Sequence, residues 1–562
     1  TGIMSLSQRD PRVILGEKIF CQEKGGGYMN AADKLYINGK FYTIEREGDH
    51  AEAVAVRDGR FIFVGSSEEA LKITADEIVD MEGAVVIPGM TDTHMHLVMD
   101  CEARQRVDLK DADSISEIID RMKEKDASLE LGRWAQGTGL HIERIKEGRL
   151  PNRYELDRIS KERPVLIQTY CGHAFMLNSK ALELAGIGKG FQWPLEGLVD
   201  FDEDGEPNGI VREGLYNDLL LPLMGPILPT YEIKKAALSE ELKECAKAGF
   251  TCISTYTSYS GDPLEYLYQY QELEEEGDLP IRIILNSSAP LAKTIGAVTG
   301  IGNDKIMVGA KKLFSDGSLS TRSAALLEEY SDEPGTYGVL VRTQEEMNTE
   351  VLESYQYGME VAIHAIGDKA MDMVLTAIEN AVKICGVKKR FRIIHAMVIA
   401  EGYIERMKKL PVILDVQPVF IRNWVDICED RIGKKRKKYF LPLRSYMEAG
   451  VIVTGGSDAP VEDINPFIGI ECAVTRSAPG RKEENCLVPE ERISIYQAVS
   501  MFTKNAAYCT NQENIRGTIS VGKYADFVAL NEDIFQICPQ RIHEIKVEKT
   551  VVGGNVVYSI EK

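Results

Sequence analysis

The 562-residue sequence lacks long hydrophobic runs, an excess of basic residues and paired cysteines, and each absence excludes a class of protein. The apolar stretch at 219–229 is broken by proline and glycine, well short of the ~20 residues that a membrane-spanning helix requires. The net charge of −21 argues against nucleic acid as a partner, because phosphate binding needs a basic face. One basic run, RIGKKRKK at 431–438, is interpreted as a solvated surface loop, with an anion site or a subunit contact as the alternative.

The 11 cysteines are dispersed from Cys21 to Cys538 without a C-x-x-C pair. An odd, scattered count favours reduced thiols in a cytoplasmic protein over a disulfide framework. The first 28 residues do not resemble a signal peptide, because Glu17 and Lys18 interrupt their apolar patch. We predict residues 1–30 to be an N-terminal extension outside the fold.

The sequence contains one secondary-structure pattern at both ends and a different one in the middle. Short alternating strands separated by Asn-Gly or Asp-Gly turns follow Asp33, and similar strands occupy the last part of the chain. Between them, apolar strands alternate with amphipathic helical segments, which predicts an α/β fold with a (β/α)₈ TIM barrel. Nine candidate strands compete for eight places, and we expect one of the two near 281 and 306 to be extra. The candidates are 84–89, 165–170, 251–256, 281–285, 306–314, 360–364, 392–395, 412–416 and 451–455.

Histidine is scarce, with 8 in the chain, and four of these lie where barrel strands are predicted to end. His94 and His96 are alternate residues, so they project to the same side of an extended chain. His364 ends the strand EVAIH, His395 ends RIIH, and Asp458 follows the last predicted strand. A buried structural histidine or a surface carboxylate would explain any one of these residues alone. Their shared position, where catalytic residues of parallel barrels emerge, predicts a metal site.

These residues lie in motifs that resemble the amidohydrolase superfamily. More narrowly, the chain resembles the branch of YtcJ-like proteins and N-substituted formamide deformylases (amidohydrolase family 3), in order from about residue 33 to 557. The site motifs are THMH (93–96), KLFSDG (312–317), HAIGDKAMD (364–372), IIHAMVI (393–399) and GGSDAPV (455–461). Further matching patterns are GHAFMLNSKAL (172–182), GIVREG (209–214), DVQPVF (415–420) and GTISVGKYADFVAL (517–530).

The resemblance implies a barrel accompanied by a small β-sandwich domain built from both chain ends. We therefore expect residues 31–88 to form the first part of the β-sandwich. Residues 89–500 would form the metal-dependent barrel with insertions, and residues 501–562 the last helix and the second part of the sandwich.

The resemblance also implies one or two divalent metals, with zinc expected first and manganese, iron or nickel as alternatives. The ligands carried over by motif are His94, His96, Lys312, His364, His395 and Asp458. Lys312 matches a lysine that relatives can carry as a carbamate, which forms when burial keeps the amine neutral and able to capture carbon dioxide. A carbamate can bridge two cations about 3.5–4 Å apart. The alternative is an uncharged or salt-bridged Lys312, paired with Asp316; the neighbouring Lys311 would face the other way.

The chemistry that the resemblance implies is attack of a metal-activated hydroxide on a carbonyl carbon. Asp458 would take the proton of the water and deliver it to the leaving nitrogen. We expect His173 to contact the substrate or its oxyanion, with a structural hydrogen bond as the alternative. Arg212, Asp316 and Gln417 are further candidates for substrate contact.

The expected activity is hydrolysis of a carbon–nitrogen bond other than a peptide bond, in a small amide, N-formyl or N-acyl compound. The first alternative is a mononuclear deaminase or cyclic-amide hydrolase of the same superfamily. The second is a catalytically silent relative with an assembly or regulatory role. We expect a cytoplasmic homodimer that acts on a small molecule and binds neither nucleic acid nor membranes.

Overall fold

Eight parallel strands follow one another around a nearly closed barrel in this computed structural model. They are β1 (Met90–Met95), β2 (Phe250–Tyr256), β3 (Arg282–Ser287), β4 (Ile306–Phe314), β5 (Val361–Ala365), β6 (Phe391–His395), β7 (Val412–Val416) and β8 (Ile452–Gly455). The eighth strand returns beside the first, where Thr93 Oγ1 donates to the carbonyl of Gly455 at 3.0 Å. The predicted α/β barrel is confirmed.

The described residues are 31–129, 133–140, 142–169, 174–191, 199–212, 219–224, 230–257, 263–289, 291–320, 322–481 and 485–560. The predicted substrate residue His173 and the predicted N-terminal extension at 1–30 lie outside them. Within the described part, no helix combines the length and the apolar character needed to cross a bilayer.

Helices connect the strands and cover the outside of the barrel. All five residues of β6 are buried, as is usual for a parallel strand covered on both faces. The helix Asp368–Cys385 between β5 and β6 buries residues at 370, 371, 374, 375, 377, 378 and 381, the spacing of one helical face. The other connecting helices are Leu97–Arg104, Tyr231–Lys247, Pro263–Glu276, Leu291–Ile295, Gln344–Gln356, Tyr403–Met407, Ile421–Trp424, Cys428–Lys437 and Leu443–Glu448. Those after β8 are Pro466–Thr475, Ile495–Phe502 and Lys504–Cys509.

The prediction that one strand near 281 or 306 is extra is wrong, because β3 and β4 both belong to the barrel. The candidate outside the barrel is the one at 165–170, whose strand Val165–Thr169 pairs in parallel with Ala135–Leu140 in a separate sheet. The first candidate is also displaced: Val85–Pro88 belongs to a terminal sheet, and the barrel begins at Met90. Because a strand buried on both faces is apolar throughout, its sequence does not indicate which sheet it joins.

A separate sheet is inserted between β1 and β2. Its strand order is Val199–Phe201, Pro207–Arg212, Ala174–Leu177, Val165–Thr169, Ala135–Leu140 and Val107–Asp108. The helices Ile115–Ser128, Arg153–Leu156 and Ser179–Leu184 accompany it, and Leu221–Met224 follows. Each face of this sheet has its own apolar core, and neither merges with the core of the barrel. The insertion is therefore a folded layer rather than an extended loop.

Strands from both chain ends form two further sheets. The four-stranded sheet has the order Arg60–Gly65, Ala53–Arg57, Ala32–Ile37 and Ala75–Asp80, with the helix Ser67–Ala70 beside it. The six-stranded sheet has the order Asn555–Ser559, Val547–Val552, Phe527–Leu530, Val85–Pro88, Lys40–Tyr42 and His50–Ala51. Both sheets contribute side chains to one apolar cluster, in which the ring of Phe527 contacts Tyr36, Phe41 and Phe61.

The chain crosses from the terminal sheet into the barrel at Gly89. A Cβ atom at this position would lie 2.3–2.8 Å from side-chain atoms of Thr251 on β2, so the close approach requires glycine. Gly89 also donates its N–H to the carbonyl of Asp526. The carboxylate of Asp526 in turn receives two hydrogen bonds from Arg282 at the start of β3, at 2.8 and 3.0 Å, with both side chains 3% exposed. This buried ion pair joins the barrel to the terminal sheet.

The basic run at 431–438 lies mostly in the helix Cys428–Lys437, and two of its arginines bind the segment that follows β4. Arg431 donates to the carbonyl of Ser320, and Arg436 donates to the carbonyls of Glu328 and Glu329 at 2.9 and 2.6 Å. The run is therefore helical rather than a loop, and part of its charge holds a neighbouring segment of the same chain.

We expect Asp526→Ala to lower the free energy of unfolding by about 3 kcal/mol, because the buried guanidinium of Arg282 then keeps only the more exposed Asp304 as a carboxylate partner. Urea unfolding followed by circular dichroism measures the change. Arg444→Ala is the matched control, since it breaks an exposed pair with Glu448 and should change stability by less than about 0.5 kcal/mol. Equal effects of the two substitutions would contradict a structural role for the buried pair.

Candidate metal centre

The six predicted ligand residues come together at one end of the barrel. His94 lies in β1 and His96 directly after it, Lys312 lies in β4, His364 in β5 and His395 at the end of β6. Asp458 follows β8 by three residues. The side chains of this group are buried or nearly buried, with exposed fractions from 0% for His94 to 12% for His364.

Asp458 lies at the centre of the group. Its Oδ1 is 3.3 Å from Nε2 of His94 and 3.4 Å from Nε2 of His96. Burial alone would raise the pKa of Asp458, but these contacts hold it well below its usual range. In the described part of the chain, the three-residue group that could hold a metal ion is His94, His395 and Asp458, whose ligand atoms all lie within 4.8 Å of one another.

The imidazoles are packed edge to face, and burial keeps those of His94, His364 and His395 neutral. The ring centroids of His364 and His395 are 4.5 Å apart, and those of His94 and His395 are 5.5 Å apart. Burial lowers the pKa of His364 to about 4 and holds the pKa of His94 and His395 well below the usual value. A neutral imidazole keeps a lone pair on one nitrogen, which is the form that binds a metal.

Hydrogen bonds determine which ring nitrogen keeps that lone pair. Nδ1 of His96 is 3.3 Å from the carbonyl of Tyr256, and Nε2 of His364 is 3.0 Å from the carbonyl of Gly317. Nδ1 of His395 is 2.6 Å from Oε1 of Gln417. Because each acceptor requires an N–H, the other nitrogen of each ring carries the lone pair. This pattern of outer acceptors is usual for histidines that bind a metal.

His94 shows most directly that a cation fits this centre. Both of its ring nitrogens are buried, and neither has a hydrogen-bond partner in the described structure, although Nε2 faces the carboxylate of Asp458. A buried polar atom without a partner is costly, and imidazole nitrogen and carboxylate oxygen are ordinary ligands of zinc and related divalent cations. The donor set therefore fits a divalent metal.

Lys312 is buried beside the histidines, with 1% of its surface exposed. Its Nζ lies 4.8 Å from the ring centroid of Tyr256 and 5.0 Å from that of Phe314. Burial lowers the pKa of the amine to about 7, and the negative charges of Asp458 and Asp415 offset only part of this effect. In the described structure Lys312 forms no ion pair with Asp316, which faces His364 at 3.4 Å instead.

The two described candidates for substrate contact make their bonds within the protein. The carboxylate of Asp316 accepts backbone N–H groups of Ala325, Ile366 and Gly367 at 2.8–3.1 Å, which ties the segment after β4 to the end of β5. Gln417 bonds His395 and is 1% exposed. Contact of either residue with a substrate stays a prediction.

His173 lies outside the described residues, and for Arg212 the structure describes only the backbone. Arg212 ends the strand Pro207–Arg212 of the inserted sheet, and its partner across the strands is Ala174, the residue that follows His173. Arg212 therefore lies at the end of the inserted sheet where the strand Ala174–Leu177 begins.

Sequence reasoning missed two carboxylates that close the barrel beneath the site. Asp92 accepts the backbone N–H of His94 at 3.0 Å and that of Ser457 at 3.1 Å, and so connects β1 to the segment carrying Asp458. Asp415 on β7 accepts the hydroxyl of Thr93 at 2.6 Å. Asp92 directly precedes the motif THMH, and Asp415 begins the motif DVQPVF. An acidic residue within a buried strand was the sequence signal that could have identified either one.

Comparison with known proteins is consistent with this geometry. The model of the amidohydrolase family matches residues 77–558. The Bacillus subtilis protein named "Putative amidohydrolase YtcJ" is 34% identical over 528 residues, covering 93% of this chain and 99% of the relative. The N-substituted formamide deformylase of Arthrobacter pascens is 26% identical over 547 residues, covering 94% and 98%. The crystal structure of an uncharacterized metal-dependent hydrolase from Pyrococcus horikoshii superposes with a TM-score of 0.74 at 29% identity, covering 90% of this chain and 99% of that one.

We expect Asp458→Asn to weaken binding of Zn²⁺ by more than the ~10–100-fold that loss of an outer hydrogen-bond partner costs, because it removes the charge at the centre of the group. Competition with a chromogenic chelator measures the affinity. Asp463→Asn, five residues further on and exposed, is the control and should bind Zn²⁺ as the wild type does. Wild-type affinity in the Asp458→Asn variant would show that the metal binds elsewhere.

Proposed function

Because the chain belongs to the amidohydrolase family, we propose that it is a metal-dependent hydrolase of a carbon–nitrogen bond in a small amide, N-formyl or N-acyl compound. The observation that carries the proposal is the convergence of His94, His395 and Asp458 at the barrel mouth, where the buried ring nitrogens of His94 have no hydrogen-bond partner among the described residues. The formamide deformylase among the relatives supports an N-formyl or N-acyl substrate. The Pyrococcus horikoshii structure, described as a metal-dependent hydrolase, supports the use of a metal.

The residues that would hold the metal are His94, His96, His364, His395 and Asp458, with Lys312 as a further ligand. A divalent metal bound there supplies Lewis acidity, which polarises a carbonyl and lowers the pKa of water. Asp458 then accepts the proton of the attacking water at its carboxylate and passes it to the leaving nitrogen. The low pKa of Asp458 suits the accepting role, because the group is ionised at neutral pH.

We further propose that Lys312 carries a carbamate. A buried amine with a pKa of about 7 is about half neutral at pH 7, and the neutral form is nucleophilic toward carbon dioxide. The bond forms between Nζ and the carbon of carbon dioxide, and one proton leaves the nitrogen. The product is an anion with two oxygen ligands, which would allow a second metal at the site. A mononuclear deaminase or cyclic-amide hydrolase would instead keep a free amine.

The remaining predictions extend the proposal. We place a β-sandwich at 31–88 and 501–562 and the barrel at 89–500, with the inserted sheet inside the barrel segment. The apolar cluster shared by the two terminal sheets supports the β-sandwich. A cytoplasmic homodimer stays a prediction.

The activity is tested by loading the protein with Zn²⁺ or Mn²⁺ and screening N-formyl and N-acyl amines for released amine. We expect turnover by the wild type and a loss of about 10²–10⁴-fold in kcat for Asp458→Asn assayed at saturating metal, because proton transfer through this carboxylate is lost. Asp463→Asn should retain activity. A protein that binds metal but releases no amine from any amide would favour a catalytically silent role.

Lys312→Ala tests the carbamate. We expect the wild type to bind about two metal equivalents per chain and the variant about one, measured by plasma mass spectrometry after removal of free metal. Lys311→Ala is the matched control, because Lys311 precedes Lys312 on β4 and faces the opposite side of the strand. One equivalent in both the wild type and Lys312→Ala would favour the mononuclear alternative.

A further inference from the structure

We propose that Gln417 is a positioning residue, which holds His395 with its proton on Nδ1 and so leaves Nε2 to bind the metal. The proposal rests on the proposed function, because it assumes that His395 is a metal ligand. It replaces the sequence-based interpretation of Gln417 as a substrate contact. The inference depends on how the amide is held, on the backbone of His395 and on the segment that follows β7.

The amide of Gln417 can face His395 in one orientation only. Its Oε1 is 2.6 Å from Nδ1 of His395, and its Nε2 donates to the carbonyl of Asp415 at 3.3 Å. Exchanging the oxygen and nitrogen would place two acceptors at the Asp415 end, so these two partners fix the amide. The oxygen must therefore accept a hydrogen bond from the N–H at Nδ1, and His395 must be the Nδ1–H tautomer.

The backbone of His395 has an unusual conformation, so side-chain contacts are needed to orient its ring. Its φ angle is +72°, in the left-handed region that residues other than glycine rarely adopt. The strand β6 ends at this residue, and the next residue, Ala396, donates its N–H to the carbonyl of Ala365 on β5. The ring is thereby turned toward the barrel mouth, where side-chain contacts must determine its rotation.

One short segment supplies two contacts to this ring, in addition to its packing against His364 and His94. Gln417 follows β7 directly, and Pro418–Phe420 forms a single 3₁₀ turn. The ring of Phe420 is stacked on His395 with centroids 6.1 Å apart and an interplanar angle of 16°. The segment 417–420 therefore fixes the plane of the imidazole with Phe420 and its tautomer with Gln417.

Burial argues against a substrate contact. Gln417 is 1% exposed, and both ends of its amide already bond within the protein. Because so little of the side chain is exposed, a substrate has almost no access to the remaining N–H and lone pair of this amide. For His96 and His364 the corresponding acceptors are backbone carbonyls, whereas at His395 a side chain performs this role and can be changed by substitution.

The test measures metal binding in Gln417→Leu and Gln417→Glu, using the full-length protein, Co²⁺ or Zn²⁺ and a competing chelator. We expect Gln417→Leu to weaken metal binding by about 10–100-fold, the usual cost of removing an outer partner. Gln417→Glu should lose less metal affinity than Gln417→Leu, because its carboxylate still accepts a hydrogen bond from Nδ1 of His395, although its second oxygen faces the carbonyl of Asp415. The visible spectrum of bound Co²⁺ should change in Gln417→Leu.

Gln269→Leu is the control for loss of a buried glutamine. Gln269 is 0% exposed in the helix Pro263–Glu276, and its Nε2 donates to the carbonyl of Tyr231. It should lose stability without losing metal affinity. If Gln417→Leu does not fold, Gln417→Glu decides: a loss of metal affinity of about 10-fold or more, despite the retained acceptor, would overturn the proposal.

Other outcomes separate this inference from the proposed function. If Gln417→Leu binds metal as the wild type does and only its KM rises, then Gln417 contacts the substrate and the inference is wrong while the hydrolase proposal stands. If the wild type binds no divalent metal, both are overturned. If metal affinity follows the expected order but no amide is cleaved, the inference stands and the proposed activity fails.

Discussion

The carboxylate of Asp458 lies buried among imidazoles, three of which burial keeps neutral, and the need to compensate this anion is the constraint on which the centre depends. A buried anion is costly unless an opposite charge accompanies it. Burial keeps His94, His364 and His395 neutral, so they do not supply that charge. The amine of Lys312, with a pKa of about 7, supplies at most part of it. A divalent cation would compensate Asp458 and also use the lone pairs of the imidazoles. If Lys312 became a carbamate, the added negative charge would increase the need for a second cation.

The barrel supplies rigidity where these ligands emerge. Asp458 and His395 both have left-handed backbone angles, with φ of +60° and +72°. Such conformations cost about 1–3 kcal/mol each and persist only where the surrounding structure enforces them. The N–H of Asp458 donates to the carbonyl of His94 at 2.7 Å, and the hydroxyl of Tyr446 donates to the carbonyl of Ala396 at 3.0 Å. The ligands are thus bound to one another through the backbone, even before any metal is considered.

The sequence was sufficient for the barrel and for the set of residues that meet at its mouth, because both depend on strand ends. The alternation that places His94 and His96 on one side is local, and parallel strands all end at the same edge. The inserted sheet could not be predicted in the same way, since Val165–Thr169 is as apolar as a barrel strand and its partners lie far along the chain. The roles of Asp92 and Gln417 also depend on partners from other strands. Their hydrogen bonds cross from β1 to the segment after β8 and from β7 to β6.

The position of the insertion explains why this sequence predicts the type of reaction more readily than the substrate. The chain leaves β1 at His96, enters the helix Leu97–Arg104 and passes through the inserted sheet before it returns at β2. In parallel barrels the reacting groups come from strand ends, whereas the connecting segments determine which substrate fits. Arg212 pairs with Ala174 at one end of the inserted sheet, so this predicted substrate residue belongs to the inserted layer rather than to the barrel. Changes in the insertion can therefore alter the substrate while leaving the ligands on β1, β4, β5, β6 and the segment after β8 in place.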